Sequence, residues 1–315
     1  MPLSFPASPT VGQQSTQNGR TYSWTGYAWE LVAASGGGGL SWSAVPASAT
    51  ATGTAGQIAY DASGNFYVAT ATNTWKRASL ATWETDPQWA NVVLLMHADG
   101  SLADSSSYGR TITAIGDANA SGSPKFGSNS LSLDGGDDYL TTPSAAALDL
   151  GDNYTIECWI YPNSSTLSGG IVHRGIYYAS GNGAQSETWG SLTASIRALG
   201  SSLRFYFYAT TNAAEQSVDV SQTYFPANAW THLAMVRSGT SGKVFANGAL
   251  VGSISSLNSN GASDQPLIVG TWVYKVSGND TYAGYWNGRI DELRITKAAR
   301  YSSAFTPSTT AFPNE

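Results

Sequence analysis

From about Asn91 to the C-terminus, apolar and polar residues alternate with a period of two, the pattern of half-buried strands. Tyr154-Thr-Ile-Glu-Cys-Trp-Ile-Tyr161 alternates over its whole length and stops at Pro162. Leu203-Arg-Phe-Tyr-Phe-Tyr208 puts Phe205 and Phe207 on one face and Tyr206 and Tyr208 on the other, and the Phe face is the expected core side. Ser130 to Leu133, Trp230 to Arg237 and Arg289 to Ile295 repeat the pattern. Val92-Val-Leu-Leu-Met96 is continuously apolar, which predicts a strand covered on both faces. Asn247-Gly248, between Lys243-Val-Phe-Ala and Ala249-Leu-Val-Gly, predicts a type I′ hairpin because both residues accept positive φ. About ten short strands separated by turns predict an all-β, two-sheet sandwich over 90–315.

The first 82 residues carry a weaker pattern. Gly12-Gln13 and Gly19 precede Thr21-Tyr-Ser-Trp-Thr-Gly-Tyr-Ala-Trp-Glu-Leu-Val32. Gly56-Gln57 and Gly64 precede Phe66-Tyr-Val-Ala-Thr-Ala-Thr-Asn-Thr-Trp-Lys-Arg77. These read as diverged copies of one unit, strand, turn and strand, with a tryptophan closing the last strand. The predicted organisation is a β-hairpin module at 1–34, a flexible Gly-rich linker at 35–39, a second hairpin module at 40–82, and the sandwich. A hairpin alone is marginal in water, so the modules are expected to bury their aromatics by associating between chains, with a homotrimer as the default.

Composition narrows the function. Charged residues are 11% of the 315, net charge is −6, and no basic run exceeds Lys76-Arg77, so neither nucleic acid nor an anionic membrane has an electrostatic footprint. The lone Cys158 permits no intrachain disulfide and sits in an alternating strand, where a buried thiol is expected. Met1-Pro-Leu-Ser-Phe-Pro lacks the basic and apolar regions of a signal peptide, and no apolar run is long enough to insert in a membrane. An unexported chain that is aromatic-rich and sparsely charged suits a virion part, assembled in the host cytoplasm and exposed on the particle.

Two resemblances sharpen this. Phe5-Pro-Ala-Ser-Pro-Thr-Val-Gly-Gln13, Asn18-Gly-Arg-Thr-Tyr22, Trp24 to Val32, Thr54-Ala-Gly-Gln-Ile-Ala-Tyr-Asp61 and Thr72-Asn-Thr-Trp-Lys-Arg77 resemble the N-terminal units of tail-fibre and head-fibre proteins of tailed bacteriophages, cyanophages especially. Leu94-Leu-Met-His-Ala-Asp-Gly100, Asp104-Ser-Ser, Tyr154 to Tyr161, Trp230 to Arg237, Val244-Phe-Ala-Asn-Gly248 and Asn287 to Ile295 follow the order of the laminin-G-like, concanavalin-type jelly-roll family. The tail, Thr296 to Pro313, with Ala299-Arg-Tyr301 and Phe305-Thr-Pro307, looks like its phage and marine-bacterial branch. The resemblances imply a fibre or capsid-decoration protein whose sandwich meets a host-surface glycan or a neighbouring capsid or tail subunit. The alternatives are a carbohydrate-binding module of a cellular surface protein and a purely structural capsid cement.

Catalysis finds no support. Glycoside hydrolysis needs two carboxylates facing one cleft, about 5–9 Å apart, whereas Asp291-Glu292 and Asp137-Asp138 are adjacent and diverge in a regular strand. His97, His173 and His232 show no metal-ligand spacing, and His232 reads as structural. Calcium is the cofactor that the jelly-roll resemblance implies, with Asp99 and Asp291 as ligands and Asp104 as a lesser candidate. Asp291 has a further argument: it is expected to share the inward face of Leu293 and Ile295, where a carboxylate needs a cation or several hydrogen bonds. A glycan needs exposed aromatic platforms, for which Tyr206, Tyr208 and the loop residues Trp189, Trp272, Tyr274 and Tyr282 are the candidates.

Overall fold

The computed structural model describes residues 5–18, 20–32, 40–79, 85–175, 177–178, 194–208, 215–260, 262–263, 265–276 and 279–315; the Gly-rich stretch 35–39 lies outside them. The chain divides into two compact units, Met1–Glu84 and Thr85–Glu315.

The two copies in the first unit share a turn. Thr10 N donates to the side chain of Gln13, and Gln13 N returns to Thr10 O at 2.9 Å. Thr54 and Gln57 repeat both bonds, and Gly12 and Gly56 adopt φ of 84° and 89° between them. Each copy is larger than the hairpin its pattern predicts. The first is a three-stranded meander of Gln14–Gln17, Arg20–Trp24 and Trp29–Leu31. The second is the meander Gln57–Tyr60, Asn65–Ala71 and Thr74–Ser79, with Ser41–Trp42 added in parallel along the edge of Gln57–Tyr60. Gln14–Gln17 is polar throughout, and Gln57–Tyr60 is only four residues long, too short for a period of two to show in the sequence.

The second unit is the predicted sandwich. One sheet runs in the order Asn119–Gly122, Ser130–Asp134, Asn287–Thr296, Asn153–Pro162, Thr231–Ser238, Ser241–Ala246 and Ala249–Ile254, with Val92–Met96 paired to the far half of Asn287–Thr296. The other runs Gln216–Ser221, Ser202–Tyr208, Ala194–Leu199, Gly170–Arg174, Leu267–Val269, Tyr139–Thr142 and Thr113–Ile115. Between the sheets, Ile156, Cys158, Ile160, Phe205, Phe207, Leu233, Met235, Leu293 and Ile295 form one buried core. Asn247 and Gly248 take φ of 48° and 78°, as the hairpin requires.

Residues 297–315 lie as a strap on the outer face of the eight-stranded sheet. Tyr301 and Phe305 stack with ring centroids 3.5 Å apart, and Phe305 also meets His232 and Phe245. The strap covers a buried ionic network. Glu157 accepts from Arg294 Nε at 3.0 Å and from the Tyr301 hydroxyl at 2.8 Å, with His232 Nε2 at 3.3 Å. Burial alone would raise the Glu157 carboxyl, but Arg294, His232 and Arg300 outweigh it and hold the group down to about 2. Asp86 binds Arg294 and Arg300, so the sandwich starts a few residues before the predicted boundary.

Candidate functional site

The strap lies over one sheet, and the outer face of the seven-stranded sheet is the opposite surface of the sandwich. Strand alternation sends Phe205 and Phe207 to the core and Arg204 and Tyr206 outward. Pairing then sets Ser195 opposite Tyr206, Arg197 opposite Arg204, and Arg204 opposite Asp219. Two arginines directly opposite each other repel unless each is neutralised or stacked. Arg204 is held by Asp219 in a two-pronged pair at 2.6 and 2.8 Å. Arg197 bonds the Tyr206 hydroxyl, and its guanidinium lies 4.4 Å from the centre of the Tyr206 ring and 4.4 Å from that of Trp272. Such contacts contribute on the order of 1 kcal/mol each, more where water is excluded.

Trp272 reaches this stack on a hairpin, Trp272–Val276 with Asn279–Ala283, not on a loop. Gly169 and Gly170 let it cross the sheet: a Cβ on either would collide with the backbone of Tyr285 or Thr271. The hairpin has two faces. Trp272 and Tyr274 share the face toward Arg197, with ring centroids 5.2 Å apart. Tyr282, opposite Val273, faces the other way and stacks on Tyr139 at 4.9 Å. Burial, and then Tyr282, push the Tyr139 phenol up to about 12.

The predicted aromatic residues therefore divide. Tyr206, Trp272 and Tyr274 join one stack around Arg197, with Tyr206 buried beneath it and Trp272 and Tyr274 half-exposed. Tyr282, exposed, belongs to a separate pair with the half-buried Tyr139, and Trp189 and the side chain of Tyr208 lie outside the described residues. Arg197, Arg204 and Asp219 were not among the sequence candidates. Their polar positions are visible in the alternation, but their convergence depends on cross-strand register.

The carboxylates behave differently from expectation. Asp291 does not share a face with Leu293 and Ile295. Opposite Glu157 to Trp159 the strand carries one extra residue, with Glu292 at φ 51°, so Ile290 and Leu293 both point inward and Asp291 turns outward beside Trp159. Its carboxylate accepts from Lys125 N, Phe126 N and Glu292 N. Burial lifts it to about 7 against the pull of those donors. Asp99 accepts from Ser128 N and Asn129 N, so the two aspartates staple one loop. Asp104 holds a different one, through Leu95 N, Ser106 N and Arg110 N. The three do not form a convergent cage, and their engaged oxygens do not fit the calcium set the resemblance implies. Among the described residues, the acidic trio with ligand atoms within 4.8 Å is Asp117, Asp134 and Asp138, where Asp138 already accepts from Asp117 N and Asp134 N.

Glu157 and Asp291 both lie on the strap-covered face, and His173 is buried between Ser195 Oγ and Gly175 O at 3.0 Å each. Burial, helped by Arg197, lowers this histidine to about 3 and keeps it neutral.

No curated protein matches the sequence. Among solved structures, the chain is similar to the binding domain of Paraclostridial Mosquitocidal Protein 1, at 13% identity and TM-score 0.50, covering 68% of this chain and 50% of that one. It is also similar to domain 4 of AbnA, an extracellular arabinanase of Geobacillus stearothermophilus solved with arabinotriose, at 18% identity and TM-score 0.48, over 66% and 93% of the two chains. The botulinum neurotoxin serotype C1 binding domain matches at 16% identity and TM-score 0.47, over 68% and 50%. The chain thus spans half the length of these toxin domains, and at such identities the likeness is one of fold. Residues 134–304, more than half of the chain, match the family model described as the Concanavalin A-like lectin/glucanases superfamily. The sandwich, its sheet order and that match together make this chain a member of the concanavalin A-like lectin/glucanase superfamily.

Proposed function

We propose that this protein is a structural component of a bacteriophage particle, a head or tail fibre or a capsid decoration, whose sandwich binds a host-surface glycan through the Tyr206–Arg197–Trp272–Tyr274 stack. The stack is the observation that carries the glycan reading. Half-exposed Trp272 and Tyr274 offer ring faces to the C–H face of a sugar, and the neighbouring Arg204–Asp219 pair offers fixed donors and acceptors to its hydroxyls. The eight-stranded sheet carries a smaller group of two half-exposed rings, Tyr161 and Trp230, 5.4 Å apart with Arg289 over Tyr161. A superfamily of lectins and glucanases agrees with a carbohydrate ligand. The virion role is supported by the paired Thr-x-Gly-Gln modules and their likeness to fibre units. Capsid or tail proteins are its other partners, a homotrimer is its assembly, and it performs no catalysis.

The test is a glycan array and a host-cell adsorption assay with wild type, Trp272→Ala and Tyr274→Ala. Trp272→Ala is expected to weaken binding at least tenfold, with circular dichroism unchanged. Binding that is unaffected by either variant moves the site elsewhere. Failure to bind any glycan, with the protein filling capsid positions on purified particles, replaces the receptor role with a cement role. Calcium is tested by melting in chelator: a lowered midpoint that Asp134→Asn abolishes places the ion at the Asp117 trio.

A further inference from the structure

The second N-terminal sheet has one face closed and one open. Trp75 and Tyr67 point to the closed face, where loop 46–53 covers them: Trp75 Nε1 donates to Ala51 O at 3.2 Å, and a Cβ on Gly53 would sit 2.8 Å from the indole. Register sets Trp42 beside Ile58, Ile58 beside Val68, and Tyr60 beside Phe66, all on the opposite face. With Leu40, that face carries six apolar side chains, and Lys76, opposite Val68 across the sheet, is its charged member. Leu40, Trp42 and Tyr60 are 66%, 74% and 53% exposed. Among the described residues, the whole first unit buries only Ile58, Ala59, Ala69 and Trp75 of its hydrophobics, while it holds seven of the thirteen large exposed ones. So small a core does not offset the entropy of ordering the unit.

We infer that this face is the self-association surface of the protein, covered by the same face of the other copies of this chain where they meet about the trimer axis. Charge identifies the occupant. Residues 1–84 contain three basic and three acidic residues, so the whole −6 lies in the sandwich. Copies joined through their neutral first units keep the mutually repelling sandwiches free to stand apart. A nearly uncharged apolar face also stacks on itself with little desolvation of ions, and Ser41–Trp42 sits at a sheet edge open to further strand pairing. This rests on the homo-oligomeric part of the proposed function and names its contact.

The experiment uses the full chain. Sedimentation and light scattering at 1–50 μM are expected to show a discrete oligomer, and Trp42→Glu to lower its mass toward the monomer, while Tyr108→Glu, a control in the sandwich, leaves it intact. Hydrogen exchange on wild type needs no variant: amides 40–45 and 57–60 are expected to lose protection on dilution. A monomer at all concentrations, an oligomer unchanged by Trp42→Glu, or protection independent of concentration overturns the inference. Glycan binding that survives in a monomer leaves the sandwich reading standing, so the two fail separately.

Discussion

His173 shows how much one buried side chain reports. The Gly175 carbonyl can only accept, so Nε2 carries the proton and Nδ1 receives the Ser195 hydroxyl. Its folded-state value of about 3 lies below the ordinary 6.5, so the unfolded chain takes up the proton first. Stability is then full above about pH 6.5 and drains away as pH falls toward 3, by about 2 kcal/mol from this group at pH 5. Urea midpoints at pH 5 and 7.5 should converge in His173→Gln; an undiminished acid loss in that variant assigns the effect elsewhere. Asp291 has the opposite sign. Raised to about 7, it contributes stability below the ordinary carboxylate value that is lost as pH rises through 7. Asp291→Asn keeps an acceptor for Lys125 N and should lose less stability than wild type between pH 5 and pH 8, measured by melting temperature. The sequence showed Asp291 as a carboxylate in need of partners but placed it on the wrong face, because one inserted residue at Glu292 reverses the parity of everything before it. Arg197 was invisible for a related reason: its importance comes from Tyr206, reached only through the register of the next strand, and from Trp272, which is far from it in sequence.

Among the elements, most strands of the sandwich were legible because the inner face is apolar and the outer face polar, which writes a period of two into the residues, while Val92–Met96, buried on both faces, was legible as a continuous apolar run. The Trp272–Ala283 hairpin was not, since both its faces carry aromatics and the alternation vanishes. The Asn247-Gly248 turn was foreseen for its φ angles, but its second duty was not: Phe305 N donates to Gly248 O, and a Cβ at Gly248 would collide with Phe305 O. Gly248→Ala should therefore cost more than a turn substitution, about 2 kcal/mol or more, and loosen the strap. Protease cleavage within 297–310 would report the loosening, and an intact tail would confine the effect to the turn. Glu157→Gln attacks the strap from beneath by removing one of the two carboxylates that Arg294 and Arg300 share, Asp86 being the other; an expected loss of about 3–5 kcal/mol is read from denaturant midpoints.

At the scale of the whole molecule, the two units differ in kind. The sandwich has a continuous core, whereas the first unit depends on outside cover. Calorimetry of the full chain should show two transitions. The lower one should rise with protein concentration, as association demands, while the upper one stays fixed. A single concentration-independent transition would mean that the units fold as one.

The ionic knot at Asp86 has a further meaning. Asp86 N donates to Glu315 O at 2.5 Å, while its carboxylate grips Arg294 and Arg300, so residues 86 and 315 of the sandwich meet at one point. A domain closed in this way behaves as a cassette. It can be spliced into a loop of an unrelated host, or cut open at another turn and rejoined at 86 and 315, without stretching the framework between. Exchange of such domains among proteins would then require only two neighbouring splice points, with the outer face of the seven-stranded sheet carried along unaltered.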